Sequence, residues 1–131
     1  MSLSFKKEER LCSRRLIDQL YAEGHRLMAF PFSVQWMAVD SSQLPEVCCQ
    51  VMIVAPKRKF HHAVDRNRVR RLVRECYRQR KEPLYTFLKE HDMCIVFSMV
   101  YIHNEILTYE QLGHKMDKLL TALENDIKAT L

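Results

Sequence analysis

The pattern of apolar and polar positions divides the chain into helices and strands. Near the start, apolar residues at positions 16, 17, 20 and 21 recur at helical spacing, which predicts a short helix through about Ala22. Ser13 stands where an N-cap is expected, and Gly24 stands where many helices end in a left-handed residue. The sequence therefore predicts a first helix between these two residues.

Two later runs have the composition of β-strands. Residues 32–39 alternate β-branched and aromatic residues with others, and Phe30, which precedes a proline, is expected to be extended. Residues 47–54 are apolar at almost every position and end before Pro56, which predicts a strand in the centre of a sheet. The polar stretch between the two runs, which contains Pro45, predicts a turn.

A long helix and a further strand follow. Residues 66–81 repeat apolar side chains at helical spacing and stop before Pro83, which cannot continue a helix. Residues 93–100 form another near-continuous apolar run. This run is too short for an amphipathic helix and rich in β-branched and aromatic residues, so it predicts a strand.

The last predicted helix begins at a capping box made by Thr108 and Gln111, after which apolar residues recur at helical spacing. Gly113 inside this pattern costs about 1 kcal/mol relative to Ala and indicates close packing. The elements follow in the order helix, two or three strands, helix, strand, helix. This order predicts an α+β fold, a two-layer sandwich whose middle helix crosses over between two strands.

Length and composition allow one domain. At 131 residues, of which 47% are hydrophobic, the chain can bury one core, so residues 1–131 are expected to form a single domain. The start lacks the apolar stretch of a signal peptide, and no apolar run reaches membrane-spanning length. We therefore expect a cytoplasmic protein with no membrane partner. The five scattered cysteines are typical of reduced, mostly buried thiols.

Charge is concentrated in one part of the chain. Residues 57–81, here called the basic segment, hold 11 of the 21 Lys and Arg and only two acidic residues, so their formal charge is +9 while the other 106 residues sum to −4. On a helix of about 100° per residue, arginines and apolar residues lie on different faces. The arginine face holds Arg66, Arg70, Arg74 and Arg78, and the apolar face holds Val69, Leu72, Val73, Cys76 and Tyr77.

A polyanion is the ligand that this pattern favours. Glu75 is the only acidic residue within residues 66–81, so like charges repel at i, i+4 at a cost of about a few tenths of a kcal/mol per pair. A charged face stabilised by internal ion pairs would contain more acidic residues. Because guanidinium groups are planar, bidentate donors to phosphate, the basic segment predicts a nucleic-acid-binding surface.

The sequence RNRVRRLVRE at positions 66–75 resembles the motif of the protein subunit of bacterial ribonuclease P. That family has a Lys/Arg-rich turn and a short spacer before Arg-Asn-Arg-x-Lys/Arg-Arg-x-x-Arg-Glu, and residues 56–65 supply the turn and spacer here. The start FKKEERL, the first helix ending at Gly24 and the Thr-Tyr-Glu start of the last helix are also similar. The resemblance thus covers about the whole domain.

The resemblance implies an RNA-binding subunit that does not cleave RNA itself. A partner catalytic RNA would hold Mg²⁺ and remove the 5′ leader of precursor tRNA, so this chain would be the accessory subunit of an endoribonuclease. The family also carries its basic helix in a left-handed crossover, against the usual tendency. No catalytic residue or metal ligand is then expected, and the implied RNA-binding residues are Lys57, Arg58, Lys59, His62, Arg66, Asn67, Arg68, Arg70, Arg71 and Arg74.

The resemblance also implies that the single-stranded leader lies in a cleft between the first helix and the sheet. Tyr21 and Trp36 are the candidate leader-binding residues, because aromatic rings stack on bases with a gain of roughly 1–3 kcal/mol per base. Core packing is the alternative for both rings. The chain departs from the family in two features: Ile17 and Tyr21 stand where others have two Phe, and His61 with His62 stand where many members have Gly-Asn.

Other classes of protein fit the residues less well. A nuclease acting alone would need carboxylates spaced for two metals or a His pair placed for proton transfer, whereas His61 and His62 lie in the most basic stretch. His91 and Cys94 have metal-like spacing without a second pair at zinc-finger distance. A helix-turn-helix protein would need a helix where residues 47–54 predict a strand, so no DNA partner is expected. A structural or ribosomal-type RNA-binding protein without a role in tRNA processing is the alternative.

Overall fold

The computed structural model describes residues 5–44 and 46–131; residues 1–4, at the start of the chain, and Pro45, in the predicted turn, lie outside the described residues. The elements confirm the predicted α+β class. In chain order they are α1 (Arg14–Glu23), β1 (His25–Ala29), β2 (Phe32–Val39), β3 (Cys49–Val54), α2 (Ala63–Arg80), α3 (Glu82–Glu90), β4 (Cys94–Tyr101) and α4 (Tyr109–Thr130), with single 3-10 turns at Lys7–Glu9 and Ser41–Gln43.

The four strands form one mixed sheet in the order β1-β2-β4-β3. β1 and β2 form an antiparallel hairpin that turns through a cis Phe30–Pro31 peptide, and β2 pairs antiparallel with β4. β3 and β4 are parallel, so α2 and α3 lie in the connection between them. The predicted crossover that carries the basic helix is therefore present.

The two faces of the sheet are covered unequally. The main core lies between the sheet and the helices α2, α3 and α4. α1 packs on the other face over a smaller cluster that includes Leu16, Leu20, Met37 and Val96. The two main layers are thus the sheet and α2–α4, and α1 covers part of the second face. No helix among residues 5–44 and 46–131 is long and apolar enough to cross a membrane.

Local signals account for the helix ends. The Leu16 N–H donates to Ser13 Oγ at 3.3 Å, and the capping box predicted at the start of α4 is formed. α2 ends at Arg80, before Pro83, as predicted. However, Pro83 lies in the first turn of a further helix, α3, which the sequence prediction missed. Proline is favourable there because the first helical residues need no N–H donor.

Both glycines lie where a side chain would meet a close neighbour. Gly24 ends α1 with a φ of −67°, so the prediction of a left-handed residue is wrong. A Cβ at this position would lie 2.9 Å from Leu20 Cδ1 and 3.3 Å from Trp36 O, so close approach of helix and strand requires glycine. The close packing predicted for Gly113 is confirmed, because a Cβ there would lie 2.6 Å from Nη2 of Arg80.

The edge strands differ from the prediction. The prediction of two or three strands allowed a further strand before the basic helix but did not locate β1, because its sequence HRLMA mixes charged and apolar residues and most of them are exposed. β3 is an edge strand, so its predicted central position is wrong. The chain before α1 covers this edge in part: Arg10 pairs with Val51, and the Leu11 N–H donates to Val51 O at 3.0 Å. The strand is apolar because both of its faces pack on buried clusters: Cys49, Val51 and Ile53 contact the main core, and Met52 contacts the cluster under α1.

Candidate nucleic-acid interface

α2 separates its charged and apolar residues as the sequence predicts. Its fully buried residues are Val69, Val73, Cys76 and Tyr77, and Leu72 is half-buried beside them. The arginines that recur at i, i+4 are half-buried at the border of the apolar face; they are Arg66, Arg70, Arg74 and Arg78. The exposed residues between them are Asn67, Arg68 and Arg71. Packing on the core therefore turns one side of α2, rich in guanidinium groups, toward solvent.

Arg66 also has a structural contact. Its Nη1 donates to the carbonyl oxygens of Phe60 at 2.8 Å and of His61 at 3.0 Å. Phe60 is buried in the main core, so these bonds fix the turn between β3 and α2 against the helix. Arg66 thus contributes charge to the surface and also holds the turn in place.

The turn after β3 extends the charge of α2. Lys57 and Arg58 are exposed, and Lys59 is half-buried with its Nζ 3.1 Å from Asn104 Oδ1. His62 is the exposed N-cap of α2, and its side chain does not cap the helix. Because Arg66 ties the turn to α2, the structure brings the ten predicted RNA-binding residues onto one turn and the helix that follows it.

At the carboxyl end of α2, the positive charges are neutralised by ion pairs with acidic residues of the protein itself. Hydrogen bonds from Arg78 hold the pKa of the Glu75 carboxyl below its ordinary value. The three cationic residues there each contact an acidic group: Arg78 with Glu75, Arg80 with Asp117 and Lys81 with Glu9. The basic surface is therefore concentrated on the turn and the first part of α2, through Arg74.

Arg10 joins this surface, although nothing in its local sequence indicates it. It is exposed, beside β3, and its guanidinium carbon lies 5.7 Å from the centre of the Phe5 ring. The pKa of Arg74 is lowered by burial and then by the positive charges of Arg10 and Arg70. The positive charges of Arg10 and Arg70 therefore both act on Arg74. Only the pairing of the amino-terminal segment with β3 reveals this arrangement.

On the opposite face of the sheet, one row of side chains lies beyond the cover of α1. The strand register aligns Met28, Ser33, Val100 and Val54 across all four strands, and we call these residues the open row. Met28 is 66% exposed and the other three are half-buried. The adjacent row is covered, since Gln35 Nε2 donates to Leu20 O of α1 at 3.4 Å.

Tyr21 and Trp36 occupy different environments. Tyr21 is 43% exposed near the carboxyl end of α1. Trp36 is 1% exposed, donates from Nε1 to Asp126 Oδ2 at 2.6 Å and stacks on His25 at 4.5 Å. Successive strand residues point to opposite faces, so Trp36 faces α4 while Gln35 faces α1. The prediction that Trp36 lines a cleft with Tyr21 is therefore wrong, and the core-packing alternative is correct for Trp36.

The residues considered for other chemistry do not converge. Within residues 5–44 and 46–131, no three side chains of His, Cys, Asp or Glu come together as metal ligands. His91 Nδ1 lies 2.9 Å from Phe87 O, and its ring packs on the Phe87 ring at 4.3 Å. Cys94 is half-buried at the start of β4. The helix-turn-helix alternative is excluded, because a strand, β3, precedes the basic helix.

An α+β sandwich with a strongly basic helix in the connection between two parallel strands is typical of small nucleic-acid-binding proteins. Comparisons with known proteins specify the family. The model of the Ribonuclease P family matches residues 5–124. The ribonuclease P protein component of Porphyromonas gingivalis is 26% identical over 129 residues, covering 98% of this chain and 93% of that protein. That of Syntrophus aciditrophicus is 31% identical over 94 residues, covering 72% and 71%.

Solved structures show the same fold. The RNase P protein of Staphylococcus aureus superimposes with a TM-score of 0.65 at 17% identity, over 88% of this chain and 94% of that one. The RNase P protein of Thermotoga maritima gives a TM-score of 0.63 at 21% identity, over 86% and 94%. Because the family model matches residues 5–124 and a relative is 31% identical over 72% of the chain, the chain belongs to the family of ribonuclease P protein components, RNA-binding proteins of tRNA processing. The predicted family is confirmed.

Proposed function

We propose that this chain is the protein subunit of a cytoplasmic ribonuclease P ribonucleoprotein, where it binds the catalytic RNA and the 5′ leader of precursor tRNA. The observation that carries the proposal is the basic segment, which has a formal charge of +9 and whose cationic groups outside ion pairs lie on the turn before α2 and on the first part of that helix. The ten residues predicted from the sequence to bind RNA lie on this turn and on α2, which supports the proposal.

Binding to the catalytic RNA rests on the basic surface. Arginines outnumber lysines on it, and a guanidinium group donates two parallel hydrogen bonds to one phosphate. Each phosphate that is neutralised releases condensed counterions, so RNA relieves the repulsion that the arginines of α2 exert on one another. The half-buried stems of Arg66, Arg70 and Arg74 limit how far these groups move.

Leader binding rests on the open row and Tyr21. The open row contains no charged side chain, so it suits bases rather than phosphates. Tyr21 offers a ring for stacking, which tolerates any base because every base has a π-face. Val54 ends β3 shortly before Lys57 and Arg58, so a strand of RNA that crosses the open row has cationic groups for its backbone at that end.

Catalysis and Mg²⁺ binding belong to the RNA partner in this proposal. Mg²⁺ prefers oxygen ligands, whereas the basic surface offers N–H donors. The chain's own residues bind and orient RNA and reduce the repulsion between phosphates, which lowers the Mg²⁺ concentration needed by the catalytic RNA. The enzyme is thus an endoribonuclease in which this chain is an accessory subunit.

Reconstitution tests the proposal. The protein is added to the catalytic ribonuclease P RNA of Porphyromonas gingivalis and a precursor tRNA at an Mg²⁺ concentration where that RNA alone is nearly inactive. We expect the mature 5′ end only when protein and catalytic RNA are both present. Cleavage by the protein alone would contradict the division of labour. RNA binding without any stimulation would favour the structural RNA-binding alternative.

A further inference from the structure

The chain before α1 is fixed to α2 and α3 by buried contacts. Glu9 and Lys81 are 4% and 2% exposed and form an ion pair, and Tyr85 Oη donates to Glu9 Oε1 at 2.7 Å. The Phe5 ring meets the Tyr77 ring edge to face, with centres 5.8 Å apart. A short segment at the start of the described chain is thus held in place by buried side-chain contacts.

These contacts determine where Arg10 lies. Glu9 on one side is fixed by the buried ion pair, and Leu11 on the other is 4% exposed and bonded to β3. The Arg10 guanidinium lies over Phe5, which packs on Tyr77, and Tyr77 lies one helical turn after Arg74. Arg10 therefore stands beside the arginine series of α2, at the level of Arg74.

Arg74 has a hydrogen-bonding group that the protein leaves without a partner. Its Nε is buried, and among the described residues it is the one buried side-chain nitrogen or oxygen that makes no hydrogen bond. An unpaired buried donor is unfavourable, and more so on a charged group. Burial, followed by Arg10 and Arg70, lowers the pKa of Arg74, so its cationic form is destabilised by its surroundings. An anion placed among the three arginines would offset the repulsion that Arg10 and Arg70 exert on Arg74.

We propose that Arg10, Arg70 and Arg74 form a binding site for one backbone phosphate of the catalytic RNA, and that the Glu9–Lys81 ion pair positions Arg10 in this site. The inference rests on the proposed function and adds a residue outside the basic segment to it. A phosphodiester has two non-bridging oxygens that share one negative charge and accept bidentate hydrogen bonds from guanidinium groups. Arg10 contacts the phosphate, and Glu9 acts only through Arg10.

The site is tested by the salt dependence of binding to the catalytic RNA. Arg10→Ala should reduce the slope of log affinity against log salt by about one, because one phosphate contact is weakened. Its affinity at moderate salt should fall roughly tenfold. Arg15→Ala is the matched control. Arg15 is an exposed arginine on α1, and its substitution removes the same charge as Arg10→Ala. An equal change in both variants would show general attraction and overturn the site.

The positioning by Glu9 is tested in two backgrounds. Glu9→Ala should weaken binding to the catalytic RNA about as much as Arg10→Ala does, and should weaken binding of the Arg10→Ala protein no further. A purely structural contribution would lower the melting temperature and weaken RNA binding equally in both backgrounds, which would overturn the positioning. If Glu9→Ala does not fold, Glu9→Gln is used, because it keeps the shape and removes the charge.

Two further arms separate the causes of failure. If the wild-type protein does not bind the catalytic RNA, the proposed function and the site both fail. If the wild type binds with a steep slope that Arg10→Ala leaves unchanged, the site alone fails. The same titration with precursor tRNA in place of the catalytic RNA identifies the source of the phosphate. If Arg10→Ala weakens binding to precursor tRNA and not to the catalytic RNA, the phosphate belongs to the substrate and the proposal is overturned.

Discussion

The basic surface of α2 and the open row of the sheet are both proposed to contact RNA, but the first consists of charged side chains and the second of uncharged ones. The basic surface presents cationic groups that attract phosphate over a distance and lose strength as salt screens them. The open row presents Met28, Ser33, Val54 and Val100, which act only on contact. The two regions can therefore be weakened separately, and salt affects only one of them.

The packing beneath the two regions differs as well. α2 lies on the main core, which contains the largest buried side chains of the described chain, such as Trp36 and Tyr77. α1, which carries Tyr21, lies on a cluster of six buried residues. Substitutions beneath α2 should therefore affect stability strongly, whereas Tyr21 can be changed with little effect on folding.

The largest effect is expected when the basic surface is inverted. Arg70→Glu with Arg71→Glu replaces two attractions by two repulsions, which should cost about 3–6 kcal/mol of binding free energy to the catalytic RNA. The holoenzyme should then fail to assemble at moderate salt. The circular-dichroism spectrum should be unchanged, because both side chains lie at or outside the border of the core. Binding is measured by filter retention or fluorescence anisotropy.

The matched control is Arg15→Glu with Lys118→Glu, which changes the net charge equally at two exposed positions on α1 and α4. This variant should assemble nearly as well as the wild type. If both double variants lose RNA to the same degree, net charge rather than the α2 surface determines binding.

Trp36→Ala should have the next largest effect, on stability. Removal of a buried Trp costs about 3–5 kcal/mol of unfolding free energy and leaves Asp126 without its hydrogen-bond donor. Chemical denaturation measures this loss. At a temperature where the variant remains folded, the substitution should change the affinity of the holoenzyme for precursors with long and very short leaders by the same factor. A selective loss with the long leader and an unchanged melting temperature would return Trp36 to the leader site.

Tyr21→Ala should have a smaller and more specific effect. It removes a stacking surface that is 43% exposed, so affinity for a long-leader precursor should fall by roughly 1–3 kcal/mol. Affinity for a very short leader, the salt slope and the melting temperature should be nearly unchanged. Tyr21→Phe keeps the ring and should behave as the wild type. Equal losses on both precursors would remove Tyr21 from the leader site.

The smallest expected effect is on the pH dependence of stability. Burial raises the pKa of Glu9, but hydrogen bonds from Lys81, the Lys6 N–H and Tyr85 outweigh it, so the folded pKa lies below the ordinary value. A depressed pKa stabilises the fold above the unfolded value of about 4.3, and this stability is lost as pH falls through the folded pKa. Glu9→Gln should therefore flatten the stability profile below about pH 5. A profile parallel to that of the wild type would contradict the ion pair.

The sequence predicted the elements whose determinants are local. The helical period of α2, the N-cap of α1, the capping box of α4 and the arginine motif are all contained within short windows, and the structure has each of them. α3 was missed because Pro83 indicates the end of one helix as readily as the first turn of the next. Local rules could not distinguish these two cases.

The errors at the sites have a non-local origin. Gln35, Trp36 and Met37 are all buried, because helices cover both faces of the sheet there, so alternation did not reveal which face Trp36 occupies. The position of Arg10 depends on its bridge to Val51 and on the buried ion pair between Glu9 and Lys81. Both contacts join residues that are far apart in the chain. Neither contact leaves a periodic pattern in the sequence.

The most direct test of the account is the salt dependence of binding between the wild-type protein and the catalytic RNA. If the turn and α2 engage about five phosphates, log affinity should fall with log salt with a slope on the order of −4. The measurement is an equilibrium titration repeated across a range of monovalent salt at fixed Mg²⁺. A slope near −4 would support phosphate contact by the basic surface, and a slope near zero would contradict it.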